Sequence, residues 1–135
     1  MIGKNNPFNL RYSKRNTWIG QEGSTRGFCD FRMLEYCIRA VCITVMRSYR
    51  KLGFLSVEEI INRYAPSSEN DTKNYVNFVC SYIGSFPFDI MRTVEDYANL
   101  LNAMSIMEGC EVPVDLIINV CKQYKIVPLC SRRKK

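Results

Sequence analysis

The sequence predicts an α+β domain, mostly helical, with a small N-terminal antiparallel sheet, and three observations support this. Residues 5 to 31 are rich in Asn, Gly, Ser, Thr and aromatics, with short extended stretches between turn formers. From Met33 onward, apolar residues recur at steps of three and four. Capping and stop signals then cut the remainder into helices of ordinary length.

The extended candidates are Leu10 to Tyr12, Thr17 to Ile19 and Phe28 to Phe31, separated by Ser13, Asn16, Gly20, Gly23 and Gly27. Leu34, Ile38, Val41, Val45 and Tyr49 mark the buried face of a long helix ending near Lys51 and Gly53. Ser56 with Glu59 three residues on is a capping box, so a short helix runs to about Tyr64 and stops before Pro66. Asp71 or Thr72 starts the next helix, whose face is Tyr75, Val76, Val79, Cys80 and Ile83, and Gly84 closes it. Thr93 and Asp96 open another, with Tyr97, Leu100, Leu101 and Met104 leading to Met107, Glu108 and a stop at Gly109. Pro113 begins a last helix through Leu116, Ile117, Val120, Cys121 and Tyr124, ended by Pro128.

The 135 residues suit one domain, read as 1–130 with a basic tail at 131–135. Of the +6 net charge, Arg132, Arg133, Lys134 and Lys135 supply four, leaving +2 on the body. The tail reads as a solvated terminus, or as an electrostatic contact for nucleic acid, anionic lipid or a wall polymer. No recognition-helix or base-stacking pattern accompanies it, so nucleic acid is not an expected partner. The N-terminus lacks an apolar signal core, and no apolar run reaches the ~20 residues of a membrane span, so neither signal peptide nor membrane insertion is expected.

The chain contains no histidine, which removes the usual general base and the commonest metal ligand. Its seven cysteines include no Cys-x-x-Cys pair and read as small buried hydrophobes of a reducing compartment. No glycine-rich phosphate motif is present. No cofactor and no metal are therefore expected, and carboxylates are left as the acid-base groups. Glu58 and Glu59 are explained by helix capping. Glu108 sits at a helix C-terminus, where the dipole disfavours it; it reads as an exposed residue or as an acid projecting into a cleft. Glu69 and Asn70 lie in a polar loop before a helix, where they complement its dipole or hydrogen-bond a sugar-like ligand, with Trp18 or Tyr64 as an apolar platform.

Several segments carry a resemblance: Asn5-Asn6-Pro7-Phe8-Asn9-Leu10-Arg11-Tyr12, Trp18-Ile19-Gly20-Gln21, Gly27 to Phe31, Tyr36 to Ala40, Ile60 to Pro66 and Ser68 to Thr72. In order and spacing, over residues 4 to 112, they resemble a family of small phage-borne proteins described as virion structural proteins or peptidoglycan hydrolases. That family's pattern is NNPGNIRY, WxGQ, GFxxF, YGIRA, IIxRWAPPSENDT and HENG. The first part also looks like the sheet region of flagellar-type glucosaminidases and lysozyme-like enzymes, in which the catalytic Glu precedes the sheet. Here six residues precede Pro7, and the HENG segment falls on Met107, Glu108, Gly109 and Cys110. The resemblance thus implies a lysozyme-like, circularly permuted domain that cleaves peptidoglycan glycan strands as a lytic transglycosylase, muramidase or glucosaminidase.

On that reading Glu108 is the general acid, Glu69 the first candidate for a second carboxylate with Asp30 and Glu22 behind it, and Trp18, Arg63, Tyr64 and Asn70 line the sugar cleft. The implied partners are peptidoglycan strands and other virion proteins; the implied location is the virion, or the host cytoplasm before release. The alternative is a non-catalytic virion or wall-binding protein of the same fold. Phe8, Cys37, Tyr64, Met107, Gly109 and Cys110 depart from the family pattern.

Overall fold

A computed structural model describes residues 1–130; the predicted basic tail lies outside the described residues. Two strands, β1 (Gln21–Thr25) and β2 (Phe28–Phe31), form an antiparallel hairpin that pairs Gln21 with Phe31 and Thr25 with Phe28, with a bulge between Gln21 and Gly23. Arg26 and Gly27 both have positive φ (51° and 85°), as a two-residue hairpin turn that follows strand twist requires.

The hairpin displaces the predicted Thr17 to Ile19 strand, which is loop and turn. Alternation of apolar residues could not reveal β1, because its sequence is polar and mostly exposed. Leu10 to Tyr12 contributes only an isolated bridge between Arg11 and Phe28.

Buried asparagine chemistry holds this region. Asn6 is 0% exposed; its Nδ2 donates to the carbonyls of Leu10 and Cys29 (both 2.9 Å), and its Oδ1 accepts the Leu10 N–H at 2.8 Å. Asn5 Nδ2 donates to the carbonyls of Phe31 and Arg32. Gly3 passes so close to the Cys29 carbonyl that a side chain there would collide with it.

The helical body follows. α1 (Leu34–Ile43) passes through a π-helical turn, Thr44–Ser48, into α2 (Tyr49–Lys51), so the two form one rod. Within this turn the Met46 carbonyl accepts the Leu129 N–H at 2.9 Å, which docks the C-terminal segment. α3 (Val57–Tyr64) starts at the Ser56/Glu59 capping box, α4 (Thr72–Ile83) at the Asp71 cap, and Gly84 ends α4 in the left-handed conformation. α5 (Val94–Met107) starts at the Thr93/Asp96 capping box. α6 (Val114–Tyr124) stops at Lys125, a left-handed residue (φ 55°), rather than at Pro128.

α5 is the centre, with eight buried residues including Tyr97, Leu100, Leu101 and Met104, and it packs between α4 and α6. α6 also packs on α1, and α3 on α4. Arg50 ties the body together, donating to the carbonyls of Leu129 and Met91 (both 2.8 Å) and to the Tyr97 hydroxyl at 3.1 Å. Cys29, Cys37, Cys42, Cys80 and Cys121 are buried as expected, whereas Cys110 and Cys130 are exposed because they fall in loops after α5 and α6. Among the described residues no helix is long and apolar enough to cross a membrane.

Candidate functional site

α5 ends at Glu108, and the next turn is anchored from beneath. The Ser105 hydroxyl donates to the Asn102 carbonyl and accepts the Val112 N–H, while Asn102 Nδ2 donates to Glu111 and to the Val112 carbonyl. Gly109, at φ 107°, makes the reversal that this anchoring demands. The half-buried Glu108 side chain is thereby aimed back at the N-terminal segment.

Its carboxyl is held at both oxygens. Asn9 Nδ2 donates to Oε1 at 2.8 Å, across 99 residues of sequence, and the Tyr75 hydroxyl of α4 donates to Oε2 at 2.9 Å. Burial first, then the adjacent Glu108 charge, push the Tyr75 hydroxyl far above its ordinary value, so it remains a protonated donor at any physiological pH. Asn9 takes the left-handed conformation (φ 52°) that Asn tolerates better than most residues. Its Oδ1 is buried and has no hydrogen-bond partner among the described residues, an acceptor facing a cost that a ligand donor would remove.

Beside the carboxyl lies a cavity of about 180 Å³ lined by Asn9, Arg11, Phe28, Tyr64, Ala65, Asn70 and Glu108. It combines two aromatic side chains with two amides, a guanidinium and a carboxyl. Arg11 lies over the Phe28 ring, 4.9 Å from its centroid, and pairs with Glu69 at 2.6 Å. The Tyr64 hydroxyl donates to the Phe8 carbonyl at 2.8 Å, which pins α3 to the N-terminal motif; burial pushes that hydroxyl well up. Asn70 is oriented by its bond to the Pro66 carbonyl at 3.2 Å.

The structure therefore brings Glu108, Tyr64 and Asn70 to one cavity and puts Glu69 at its edge through Arg11. Two of the expected residues lie elsewhere. Arg63 lies over Phe54 (5.6 Å to the centroid) in a separate groove with Glu58, Glu59 and Asn62, because it points from the exposed side of α3. Trp18 packs against the core from its loop and does not line the cavity. Of the other carboxylates, Asp30 accepts from the Lys4 N–H and the Thr25 hydroxyl, and Glu22 pairs with Lys4 at 3.0 Å, so both serve the hairpin. Among the described residues no cluster of His, Cys, Asp and Glu is suited to a metal.

Asn9 and Tyr75 were not read as site residues from the sequence. The signal for Tyr75 was present, since a tyrosine in a buried stripe must find a partner for its hydroxyl. Asn9 lay within the recognised motif, but which of its amides faces Glu108 is a tertiary fact.

No protein-family profile matches the chain. It is 35% identical over 117 residues to Protein P5 of Pseudoalteromonas phage PM2, an alignment covering 83% of this chain and 72% of that protein. The chain belongs to the Protein P5 family. This family relationship places a bacteriophage protein among its relatives, as the motif order suggested. As a Protein P5 relative, the chain carries the Asn9, Tyr75 and Glu108 cluster across its N-terminal segment, α4 and α5.

Proposed function

We propose that this protein cleaves the glycan strands of peptidoglycan, with Glu108 as general acid, in a lysozyme-like and circularly permuted arrangement, as a component of a phage particle or of phage-induced lysis. The observation that carries this reading is the Glu108 carboxyl, held by Asn9 and Tyr75 at the wall of a cavity lined by aromatic and amide side chains. Such a lining suits a sugar, whose ring faces are apolar and whose edges are hydroxyls and amides. The bond from Asn9 to Glu108 also supports the permutation, since it joins the end of a late helix to the motif that opens the sheet region.

In the proposed reaction Glu108 protonates the glycosidic oxygen as the bond to the anomeric carbon breaks. The muramyl 6-hydroxyl then attacks that carbon and returns its proton to Glu108, the route of a lytic transglycosylase, which needs one carboxyl. A hydrolase would draw on a second carboxylate. Glu69 is the candidate, and its ion pair with Arg11 would have to open.

The test is mass spectrometry of soluble products from isolated sacculi treated with the protein and with Glu108→Gln. Anhydromuropeptides from the unaltered protein alone support the transglycosylase, and reducing-end products support a hydrolase. Products from both proteins remove Glu108 from the role. A second reading, a non-catalytic virion or wall-binding protein, is favoured by one observation: both Glu108 oxygens already accept internal hydrogen bonds. Co-sedimentation with sacculi and no product from either protein would select it.

A further inference from the structure

Away from this cavity, α1 and α6 each bring one cysteine to their shared interface. Cys42 is 0% exposed and Cys121 1% exposed, and their sulfurs lie 3.6 Å apart. No mechanism considered above uses either thiol. They differ in access, however. Cys121 also lines a mostly apolar surface groove of about 590 Å³ between α5 and α6, with Ile118 and Val127 along it and Lys122, Lys125 and Glu95 at its charged edge. Cys42 does not line the groove and touches it only through its contact with Cys121.

We propose that Cys42 and Cys121 form a reversible dithiol–disulfide site, entered through this groove at Cys121 by a small anionic disulfide and resolved by Cys42. The contact between the sulfurs supports the order of events: proximity to Cys42 draws the Cys121 thiol down from its ordinary value, while that same contact and burial push Cys42 well up. The thiolate is the attacking species, and Cys121 is the sulfur of the pair that lines the groove, so the first step belongs to Cys121. With oxidised glutathione, the Cys121 thiolate attacks one sulfur, forms a mixed disulfide and releases one glutathione thiolate. Cys42 then loses its proton and attacks the Cys121 sulfur, releasing the second glutathione. The protein loses two hydrogens and one oxidised glutathione becomes two reduced ones. Lys122 and Lys125 suit the carboxylates of such an oxidant. Closing the pair from 3.6 Å to the ~2.05 Å of a disulfide calls for a small side-chain or helix adjustment.

The test incubates the folded protein with excess oxidised glutathione, quenches with an alkylating agent under denaturing conditions, and maps tryptic peptides by mass spectrometry. Cys110 and Cys121 share one tryptic peptide, because no Lys or Arg lies between Thr93 and Lys122, so fragmentation must separate them. The expected result is a Cys42–Cys121 cross-link reversed by dithiothreitol, and in Cys42→Ala a glutathione trapped on Cys121. Recovery of Cys42 and Cys121 as alkylated thiols in the unaltered protein would overturn the proposal, as would cross-linking of either one only to exposed Cys110 or Cys130. Because the decisive readout uses the unaltered chain, a variant that fails to fold leaves the test intact.

Discussion

Residues 1 to 31 and the helices that follow share one core but differ in what else holds them. The N-terminal region lends Phe8, Leu10, Cys29 and Phe31 to the common core, but its own loops are held by a few side chains that bond the backbone, chiefly Asn5 and Asn6, around a short hairpin with an exposed outer strand. The helical body relies on apolar faces meeting around α5. The first is specific and brittle, since one lost amide removes three bonds to buried backbone groups at once, while the second is distributed over many contacts. The candidate site stands where they meet, with Asn9 and Arg11 from one and Tyr64, Tyr75 and Glu108 from the other.

The largest effect is expected in the body. Leu101→Ala removes a fully buried side chain from the centre of α5 and is expected to cost about 4 kcal/mol, read by urea denaturation. All regions should lose protection from hydrogen exchange together. Next comes Asn6→Ala, which removes three buried bonds, to the Leu10 N–H and to the Leu10 and Cys29 carbonyls, the Leu10 carbonyl keeping the Cys29 N–H, at a cost of roughly 3 kcal/mol. Here exchange should open residues 3 to 31 ahead of the helices. If both variants opened the whole chain equally, the two regions would be one cooperative unit and the contrast would fail.

The smallest effect sharpens the contrast through pH. The Lys4 N–H first, then the Thr25 hydroxyl, hold the Asp30 carboxyl below its ordinary value of 3.8. A carboxyl lowered on folding stabilises the fold fully above its unfolded value and loses that contribution as pH falls through the lowered one. Asp30→Asn, which keeps the shape, should therefore flatten the acid limb of the stability curve below about pH 4. The flattening should appear in exchange from the hairpin and leave the α5 amides unchanged; movement of both would tie Asp30 to the body.

The same division explains what was legible. Most helix ends are legible because apolar spacing and caps such as Ser56/Glu59 and Thr93/Asp96 are local signals, whereas the left-handed stop of α6 at Lys125 has no such sign. β1 was missed because Gln21 to Thr25 is polar on both faces and owes its conformation to the Arg26-Gly27 turn and its pairing with β2. Within the site, Glu108, Tyr64 and Asn70 were legible from position and motif, but Asn9 and Tyr75 were not, since an amide in a loop and a tyrosine in a buried stripe each have a bland local explanation. Trp18 lies away from the cavity, and one aromatic in a turn-rich loop carries no local sign of which surface it will cover.

By itself the sequence determined the mostly helical class, the boundaries of most helices, and the absence of histidine that leaves carboxylates as the acid-base groups. Each depends on spacing along the chain or on composition, which no folding changes. Tertiary structure alone decided that Glu108 meets Asn9 across 99 residues, that the Met46 carbonyl in the π turn receives the Leu129 N–H, and that Cys42 faces Cys121. Those contacts join residues far apart in sequence, and what brings them together is the burial of the helix faces around α5, a sum over the whole core that no local pattern encodes.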